Sequence, residues 1–184
     1  MVKFGIAETI NDLQEILALQ KLNLKSQISD QAKKDQGFLT VNHSLDELLL
    51  MKQNTPQIVA RYEGEIVAFA LAMLPGLGKL ISDLQPMFDV IEGITLNGEK
   101  LSNQRYYVMG QICVGEKFRG QGIFDGLYQT HKEIYSPNFD LCITEISTSN
   151  ARSQRAHERV GFQTIYNHLD HVDDWNVVAW NFRE

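Results

Sequence analysis

The sequence predicts a single α/β domain, residues 1–184, in which helices flank one mixed sheet of about seven strands. Apolar periodicities follow the order β-α-α-β-β and then β-α-β-α-β-β, which is typical of a sheet with crossover helices. The length of 184 residues and the hydrophobic content of 43% suit one buried core. No internal repeat, low-complexity tract or linker divides the chain.

The first part of the chain predicts a strand, two helices and a hairpin. Residues 2–7 form a short apolar strand, and apolar residues at helical spacing predict a helix that begins at Thr9. The sequence Ser-Leu-Asp-Glu at 44–47 has the form of a capping box and opens a second helix. Two apolar runs, 57–62 and 65–74, flank a Glu-Gly turn and predict a β-hairpin.

The second part alternates strands and helices. Residues 106–114 form an almost continuous apolar strand, which a glycine-rich turn joins to an amphipathic helix. Residues 141–160 predict a further strand and helix, and 162–182 predict two strands that turn near Asp173. The segment 75–105 fits no single regular element, although a short helix is possible between the breaks at its glycines and Pro86. Since long irregular connections are often functional, we expect this segment to face a substrate.

The composition of the chain limits the classes of binding partner and the cellular compartment that we expect. A formal charge of −6 argues against nucleic acid, because binding to phosphates requires a basic surface. No apolar run reaches the ~18 residues that span a bilayer, and no signal pattern opens the chain, so we expect no membrane and a cytoplasmic location. Cys113 and Cys142 both lie in apolar strands, which argues against a disulfide. No set of metal ligands is predicted, and the sequence leaves a homodimer open.

The turn after the strand 106–114 carries the most chemical information. It reads Arg119-Gly-Gln-Gly-Ile-Phe124 and runs directly into a helix. The N–H groups at a helix start have no intrahelical acceptor, the helix dipole is positive there, and glycines let a ligand approach the main chain. The unit therefore predicts a site for a phosphorylated ligand.

Two motifs in order make the chain resemble the GNAT superfamily of N-acetyltransferases. The first family motif is Val-x-x-x-Tyr/Phe-Arg-Gly-x-Gly-x-Gly/Ala, and the chain supplies Val114, Phe118, Arg119, Gly120, Gly122 and Phe124. The second is Asn-x-x-Ala-x-x-Leu-Tyr-Glu-Lys-Leu-Gly-Phe, which here becomes Asn150, Ser153, Ala156, His157, Glu158, Arg159, Val160, Gly161 and Phe162. Phe124 departs from the usual glycine or alanine, and we expect it to turn towards the core with Leu127 and Tyr128.

The resemblance implies a mostly antiparallel sheet with a strand splay that holds acetyl-CoA as co-substrate. The pantetheine arm would pair with the main chain of the strand near Ile112 and Val114, as a peptide adds to an exposed sheet edge. The pyrophosphate would lie on the N–H groups of residues 121–124. The implied cofactor-binding residues are Ile112, Cys113, Val114, Arg119, Gly120, Gln121, Gly122, Ile123, Phe124, Asn150 and Ser153.

Glu145 is the candidate general base, because an ammonium must lose a proton before it can attack a thioester. It follows Leu141 and Ile143 at a spacing of two, so a carboxylate lies on an otherwise apolar strand face. The resemblance places a base here in several family members. The alternative is a structural glutamate that pairs with Arg152 or Arg155.

His157 is the candidate general acid. The resemblance places it where many members carry the tyrosine that protonates the departing thiolate, and a histidine with a pKa near its ordinary ~6.5 holds a proton close to neutral pH. The alternative is a histidine that only packs. His168 and His171 are interpreted as a solvated hairpin end rather than a metal site.

Two functions remain open at this stage. The first is an N-acetyltransferase that moves the acetyl group of acetyl-CoA directly to a primary amine of a small molecule or peptide. The second is a non-catalytic module on the same fold that binds acyl-CoA or a partner.

Overall fold

A central sheet organises the molecule. The computed structural model describes residues 1–81 and 84–183, and of residues 32, 34 and 35 it describes only the backbone. The strands are β1 (Lys3–Ile6), β2 (Ile58–Tyr62), β3 (Glu65–Met73), β4 (Thr95–Leu96), β5 (Glu99–Lys100), β6 (Tyr106–Val114), β7 (Leu141–Ser147), β8 (Gln163–Leu169) and β9 (Asp174–Asn181). The helices are α1 (Ile10–Leu22), α2 (Asp30–Gln36), α3 (Leu45–Asn54), α4 (Gln85–Gly93), α5 (Ile123–Tyr135) and α6 (Ala151–Val160).

The sheet has seven strands in the order β1-β2-β3-β6-β7-β9-β8. Neighbouring strands are antiparallel except β6 and β7, which are parallel and are joined by the crossover helix α5. The predicted mixed, mostly antiparallel sheet of about seven strands is confirmed.

The parallel strands β6 and β7 separate halfway along their length. They pair only from Tyr106 with Leu141 to Val108 with Ile143. Beyond that point β6 stays paired with β3 as far as Val114, and β7 stays paired with β9. The main chain of β6 therefore has an open edge between the two strands, which agrees with the expected splay.

A β-bulge at Gly110 marks the start of this separation. Met109 and Gln111 pair with adjacent residues of β3, so Gly110 is the extra residue on β6. A Cβ atom at position 110 would lie 2.4 Å from the Cε atom of Met73. Bulges bend a strand and increase its twist, which explains why β6 turns away from β7 here.

Helices cover both faces of the sheet. Leu13 and Leu48, on α1 and α3, are buried in the core of one face, to which Ile143 of β7 also belongs. Leu127 and Tyr128 of α5 are buried against the opposite face. None of the helices in the described part of the chain combines the length and apolar character that a membrane span requires.

Both predicted helix starts have a capping box, of which the sequence predicts the one at Ser44. Thr9 and Asp12 form a reciprocal capping box at α1, with 3.1 Å from the Asp12 nitrogen to Thr9 Oγ1 and 2.9 Å from the Thr9 nitrogen to Asp12 Oδ2. Ser44 and Glu47 do the same at α3. These two boxes satisfy N–H groups that would otherwise lack acceptors.

The segment 75–105 is more regular than the sequence predicts. It contains a short 3-10 helix over Pro75–Lys79, then α4 and the β4–β5 hairpin, while Ser82 and Asp83 lie outside the described residues. The side chains of Phe88 and Leu101 are fully buried in the core. The short helix is as expected, but the irregular course of the rest is wrong, because its apolar residues pack against the same face of the sheet as α1 and α3.

Candidate functional site

A cleft of about 540 Å³ opens where β6 and β7 diverge. Its walls are the end of β6, the turn into α5, the first turns of α6 and residues 36–39. Most of the predicted cofactor-binding residues line it: Ile112, Cys113, Val114, Arg119, Gly120, Gly122, Ile123, Phe124, Asn150 and Ser153. Gln121 is exposed at the rim, where its side chain donates to the Lys117 carbonyl at 3.0 Å. No described residue of the segment 75–105 lines the cleft.

The start of α5 presents free N–H groups to this cleft. Gly120 and Gly122 have φ angles of +73° and +77°, which an L side chain rarely adopts. The first bond of the helix runs from the Gly126 N–H to the Gly122 carbonyl at 3.0 Å. Within the described chain, no acceptor is found for the N–H groups of residues 121–125. The turn can therefore bind an anion with its main chain.

The open edge of β6 alternates between used and available main-chain groups. The Gly115 N–H donates to the Val67 carbonyl of β3 at 2.9 Å, so by alternation the polar groups of Cys113 face β3 and those of Ile112 and Val114 face the cleft. Cys113 also has a buried thiol whose pKa is raised to about 12 by burial, although Arg119 opposes the shift. Cys113 thus lines the cleft, but its main-chain groups are used by β3 and are not available to a ligand.

Arg119 is held by the protein itself. Its Nε donates to the Val114 carbonyl at 2.9 Å, and its Nη2 donates to Asn23 Oδ1 at 2.6 Å. Its remaining terminal nitrogen donates to the side-chain oxygen of Gln36. The guanidinium therefore joins the end of β6 to the segments that follow α1 and close α2. The Val114 carbonyl, which the sequence analysis expects to pair with pantetheine, already accepts a bond.

Asn150 joins α6 to the wall formed by residues 36–39. Its Oδ1 caps the helix by accepting from the Ser153 N–H at 3.3 Å, and its Nδ2 donates to the Phe38 carbonyl at 3.2 Å. Gly37 has a φ of +73°, and a Cβ atom there would lie 3.0 Å from Asn150 Oδ1. Because Asn150 fixes this wall, it shapes the cleft by a route that the sequence motif did not reveal.

Glu145 lies in a smaller pocket of about 70 Å³ that shares Ile112, Asn150 and Ser153 with the cleft. Its side chain is only 10% exposed, and its Oε1 lies 2.8 Å from Nε2 of His168. Burial raises the pKa of the Glu145 carboxyl, and the contact with His168 partly opposes that shift. A buried carboxyl with a raised pKa beside a cleft has the properties of a general base.

His168 is a partner that the sequence analysis missed. The sequence predicts a solvated hairpin end at His168 and offers Arg152 or Arg155 as the alternative partner of Glu145. In the structure His168 is on β8 opposite Trp175, which itself lies opposite Ser147 of β7. Residues 145 and 147 share a strand face, so the pairing registers bring His168 to the side of Glu145. Those registers are not readable from one sequence.

His157 is almost completely buried, with 2% of its surface exposed. Its Nδ1 lies 2.8 Å from the Ser153 carbonyl, and since a carbonyl only accepts, Nδ1 carries the proton. In the neutral ring Nε2 has no proton and accepts from the Tyr128 hydroxyl at 2.6 Å. Burial lowers the pKa of His157 to about 4, against a weak opposing contribution from Ser153. The expectation of a ring that is protonated near neutral pH is wrong, and an acid role stays a prediction.

Phe124 packs as the sequence analysis predicts. Its ring lies 5.1 Å from the ring of Tyr128 and 5.2 Å from that of His157, both in edge-on geometry. The large side chain thus turns towards the core, and the helix N–H groups stay accessible despite the departure from glycine or alanine.

The variant His157→Phe measures the role of this histidine. The folded pKa of about 4 is below the ordinary 6.5, so the unfolded chain binds the proton first, and stability present above pH 6.5 is lost as pH falls towards 4. Between about pH 6.5 and pH 5 the lost stability is about 2 kcal/mol, and the variant should lack this loss. Urea unfolding at several pH values measures it.

His157→Phe should also have a lower free energy of unfolding than the wild type at neutral pH, because the Tyr128 hydroxyl loses its acceptor. The test therefore compares how stability changes with pH in each protein. His131, whose pKa burial also lowers to about 4, keeps a background pH dependence in both proteins. Equal losses of stability in the two proteins would contradict the assignment of a neutral, buried His157. A folded variant with unchanged turnover would leave this residue a packing role only.

Comparison with known proteins gives a consistent picture. The model of the Acetyltransferase (GNAT) family matches residues 13–162. A search of curated protein sequences finds no match. The fold is similar to the ribosomal-protein-S18-alanine N-acetyltransferase of Escherichia coli, with a TM-score of 0.64, 14% identity and coverage of 99% of this chain and 94% of that one.

Two further solved structures share the fold. A Salmonella typhimurium protein solved with its cofactor acetyl-CoA has a TM-score of 0.65 and 13% identity, over 100% of this chain and 95% of that one. A GNAT-family acetyltransferase from Streptococcus agalactiae has a TM-score of 0.66 and 17% identity, over 98% of this chain and 95% of that one.

Proposed function

Since the chain belongs to the GNAT acetyltransferase family, we propose that it is an N-acetyltransferase that moves the acetyl group of acetyl-CoA to a primary amine. The acceptor is a small molecule or a peptide with a free amine. The observation that carries the proposal is the cleft between β6 and β7, which combines free N–H groups at the start of α5 with a buried carboxylate, Glu145, in the adjoining pocket.

The residues present fit acetyl-CoA. The N–H groups of residues 121–125 suit the pyrophosphate, because they lack acceptors in the described chain and lie at the positive end of α5. The Ile112 main chain faces the open edge and suits the amides of a pantetheine arm. The thioester end of such an arm, which extends along β6 away from α5, would reach the pocket that contains Glu145.

Glu145 supplies the proton transfer that the reaction needs. An amine such as that of lysine has a pKa of ~10.4 and is almost entirely protonated at neutral pH. Glu145 takes the ammonium proton, directly or through water, and the freed amine nitrogen can then attack the thioester carbonyl. The carbon–sulfur bond then breaks, CoA leaves as a thiolate, and the second proton of the nitrogen passes to that thiolate or to water, which gives the amide and free CoA. Because a free thiol has a pKa of about 8.5, departure depends less on an acid than attack depends on a base.

A second candidate function is a module that binds acyl-CoA without turnover. The specific observation in its favour is His157, which occupies the position of the usual tyrosine and has both ring nitrogens engaged in internal hydrogen bonds. The two functions share the cofactor site and differ in whether an amine is consumed.

The first experiment is thermal unfolding in the presence of acetyl-CoA. A ligand that binds only the folded chain at about 100 times its Kd adds about 2.7 kcal/mol, which for a chain of this length raises Tm by roughly 5–10 °C. Thiol release is then measured with and without a panel of amines. Release that depends on both substrates supports the enzyme, whereas a raised Tm without amine-dependent release supports the binding module. An unchanged Tm contradicts both.

A further inference from the structure

We infer that His168 is a positioning residue for the reaction, which fixes the carboxylate of Glu145 in the pocket beside the splay and donates a hydrogen bond to it. The inference rests on the proposed function and assigns a supporting residue to the general base, Glu145. Nothing in the GNAT motifs of this chain points to His168, which lies after the last of them.

The sheet brings the two side chains together across a strand. Glu145 lies on β7 opposite Val177 of β9, and His168 lies on β8 opposite Trp175 of the same β9. Val177 and Trp175 are two residues apart, so all four side chains share one sheet face. Glu145 and His168 thus meet over the middle strand, with 2.8 Å between Oε1 and Nε2.

The chemistry of the pair fixes the direction of the bond. An ionised carboxylate only accepts, so the proton between the two groups lies on Nε2 of His168. His168 uses one carboxylate oxygen of Glu145, and among the described residues no donor lies within hydrogen-bond distance of the other oxygen. That second oxygen is the one available for an ammonium proton or for a bridging water.

Burial makes the bond significant. The side chains of Glu145 and His168 are 10% and 14% exposed, and a charge-assisted bond is stronger in such surroundings than in water. A carboxylate side chain with one fixed oxygen also loses rotational freedom before the substrate arrives. Preorganised groups of this kind act without reorganisation during the reaction.

The other charged groups nearby define the expected pH effect. Burial raises the pKa of Glu145, His168 lowers it, and Asp170 in the β8–β9 turn raises it again. Asp173 of the same turn is neutralised by Lys25 at 2.9 Å and accepts from the Ser147 hydroxyl at 2.9 Å. His157, from α6, is neutral at pH 7. Loss of His168 leaves burial and Asp170 to raise the Glu145 pKa, so the ionised base forms only at higher pH.

The test uses two substitutions and a matched control. His168→Gln keeps an N–H donor without the imidazole, and His168→Phe removes the donor but keeps a ring. The control is His171→Gln, which replaces histidine by glutamine at an exposed position three residues away. Each protein is analysed by carbon-13 NMR of the labelled glutamate carboxyls across pH, with the Glu145 signal assigned from Glu145→Gln, and by rates of amine-dependent CoA release across pH.

His168→Phe should move the Glu145 titration and the acidic limb of the rate profile to higher pH together. On that limb the rate should fall roughly tenfold, because a hydrogen bond to a charged group is worth about that factor. His168→Gln should restore most of the rate, and His171→Gln should match the wild type.

Three results would overturn the inference. One is a Glu145 titration that His168→Phe leaves in place. Another is a shifted titration that the rate profile does not follow, which would make the pair structural. The third is a wild-type protein with no amine-dependent release at any pH, which removes the proposed function itself and is recognised without any variant. The Tm of His168→Phe checks that it is folded, and His168→Leu, which also removes the donor, replaces it in both measurements if it is not.

Discussion

Glu145→Gln is expected to lower kcat by about 10²–10⁴-fold at neutral pH, because a positioned base contributes about that much. The amide has nearly the shape of the carboxylate and can still contact His168, so the fold should be kept. The loss should shrink as pH rises towards the pKa of the amine, since more acceptor is then free of its proton. Steady-state rates across pH, with acetyl-CoA saturating, measure both effects.

Glu158→Gln is the matched control for this substitution. Glu158 is exposed on α6, so its substitution replaces a carboxylate by an amide outside the pocket. We expect its rates to equal those of the wild type. A loss of less than about threefold in Glu145→Gln would contradict a base role, since general-base effects are far larger. Glu145 would then have only a structural role in the sheet.

Gln121→Glu is expected to raise the Kd of acetyl-CoA roughly tenfold to hundredfold, because it places a negative charge beside the N–H groups that would hold the pyrophosphate. Gln121 is exposed and nearly isosteric with glutamate, and a carboxylate near the start of α5 does not destabilise the helix. Isothermal titration with acetyl-CoA measures the Kd. The effect should decrease at high salt, since surface charges are screened there.

Gln129→Glu provides the control, because it changes the charge by the same amount at an exposed position within α5, eight residues after Gln121 and away from the turn. Its Kd for acetyl-CoA should stay within about twofold of the wild-type value, because salt largely screens an exposed charge that lies about a Debye length from the ligand. Equal weakening in both variants would show that net charge, and not the turn at the start of α5, controls binding.

The parts of the fold that the sequence predicts are those set by local physics. The glycine turn, the cap of α3 and the apolar strand β6 each depend on residues close in the chain. The packing of Phe124 was predictable for the same reason, since its neighbour Tyr128 is one helical turn away. The GNAT motifs lie in this same local category.

The parts that escaped prediction depend on contacts between distant residues. The pair formed by Glu145 and His168 requires two strand registers across β9. The bond from Arg119 to Asn23 joins residues 96 positions apart. The neutral state of His157 follows from burial by α5, which no helical spacing within α6 reveals. Segment 75–105 escaped because its short elements gain order from the core that they cover.

The most direct test of the central claim is mass spectrometry of the acceptor amine together with measurement of the CoA released in the same reaction. Polyamines, amino acids and peptides with free N-termini form the panel. We expect at least one acceptor to carry an acetyl group on its amine nitrogen, in equal amount to the CoA released, with wild-type protein and at a far lower rate with Glu145→Gln. Tight binding of acetyl-CoA with no acetylated acceptor, or CoA release that no amine accelerates, would contradict the claim.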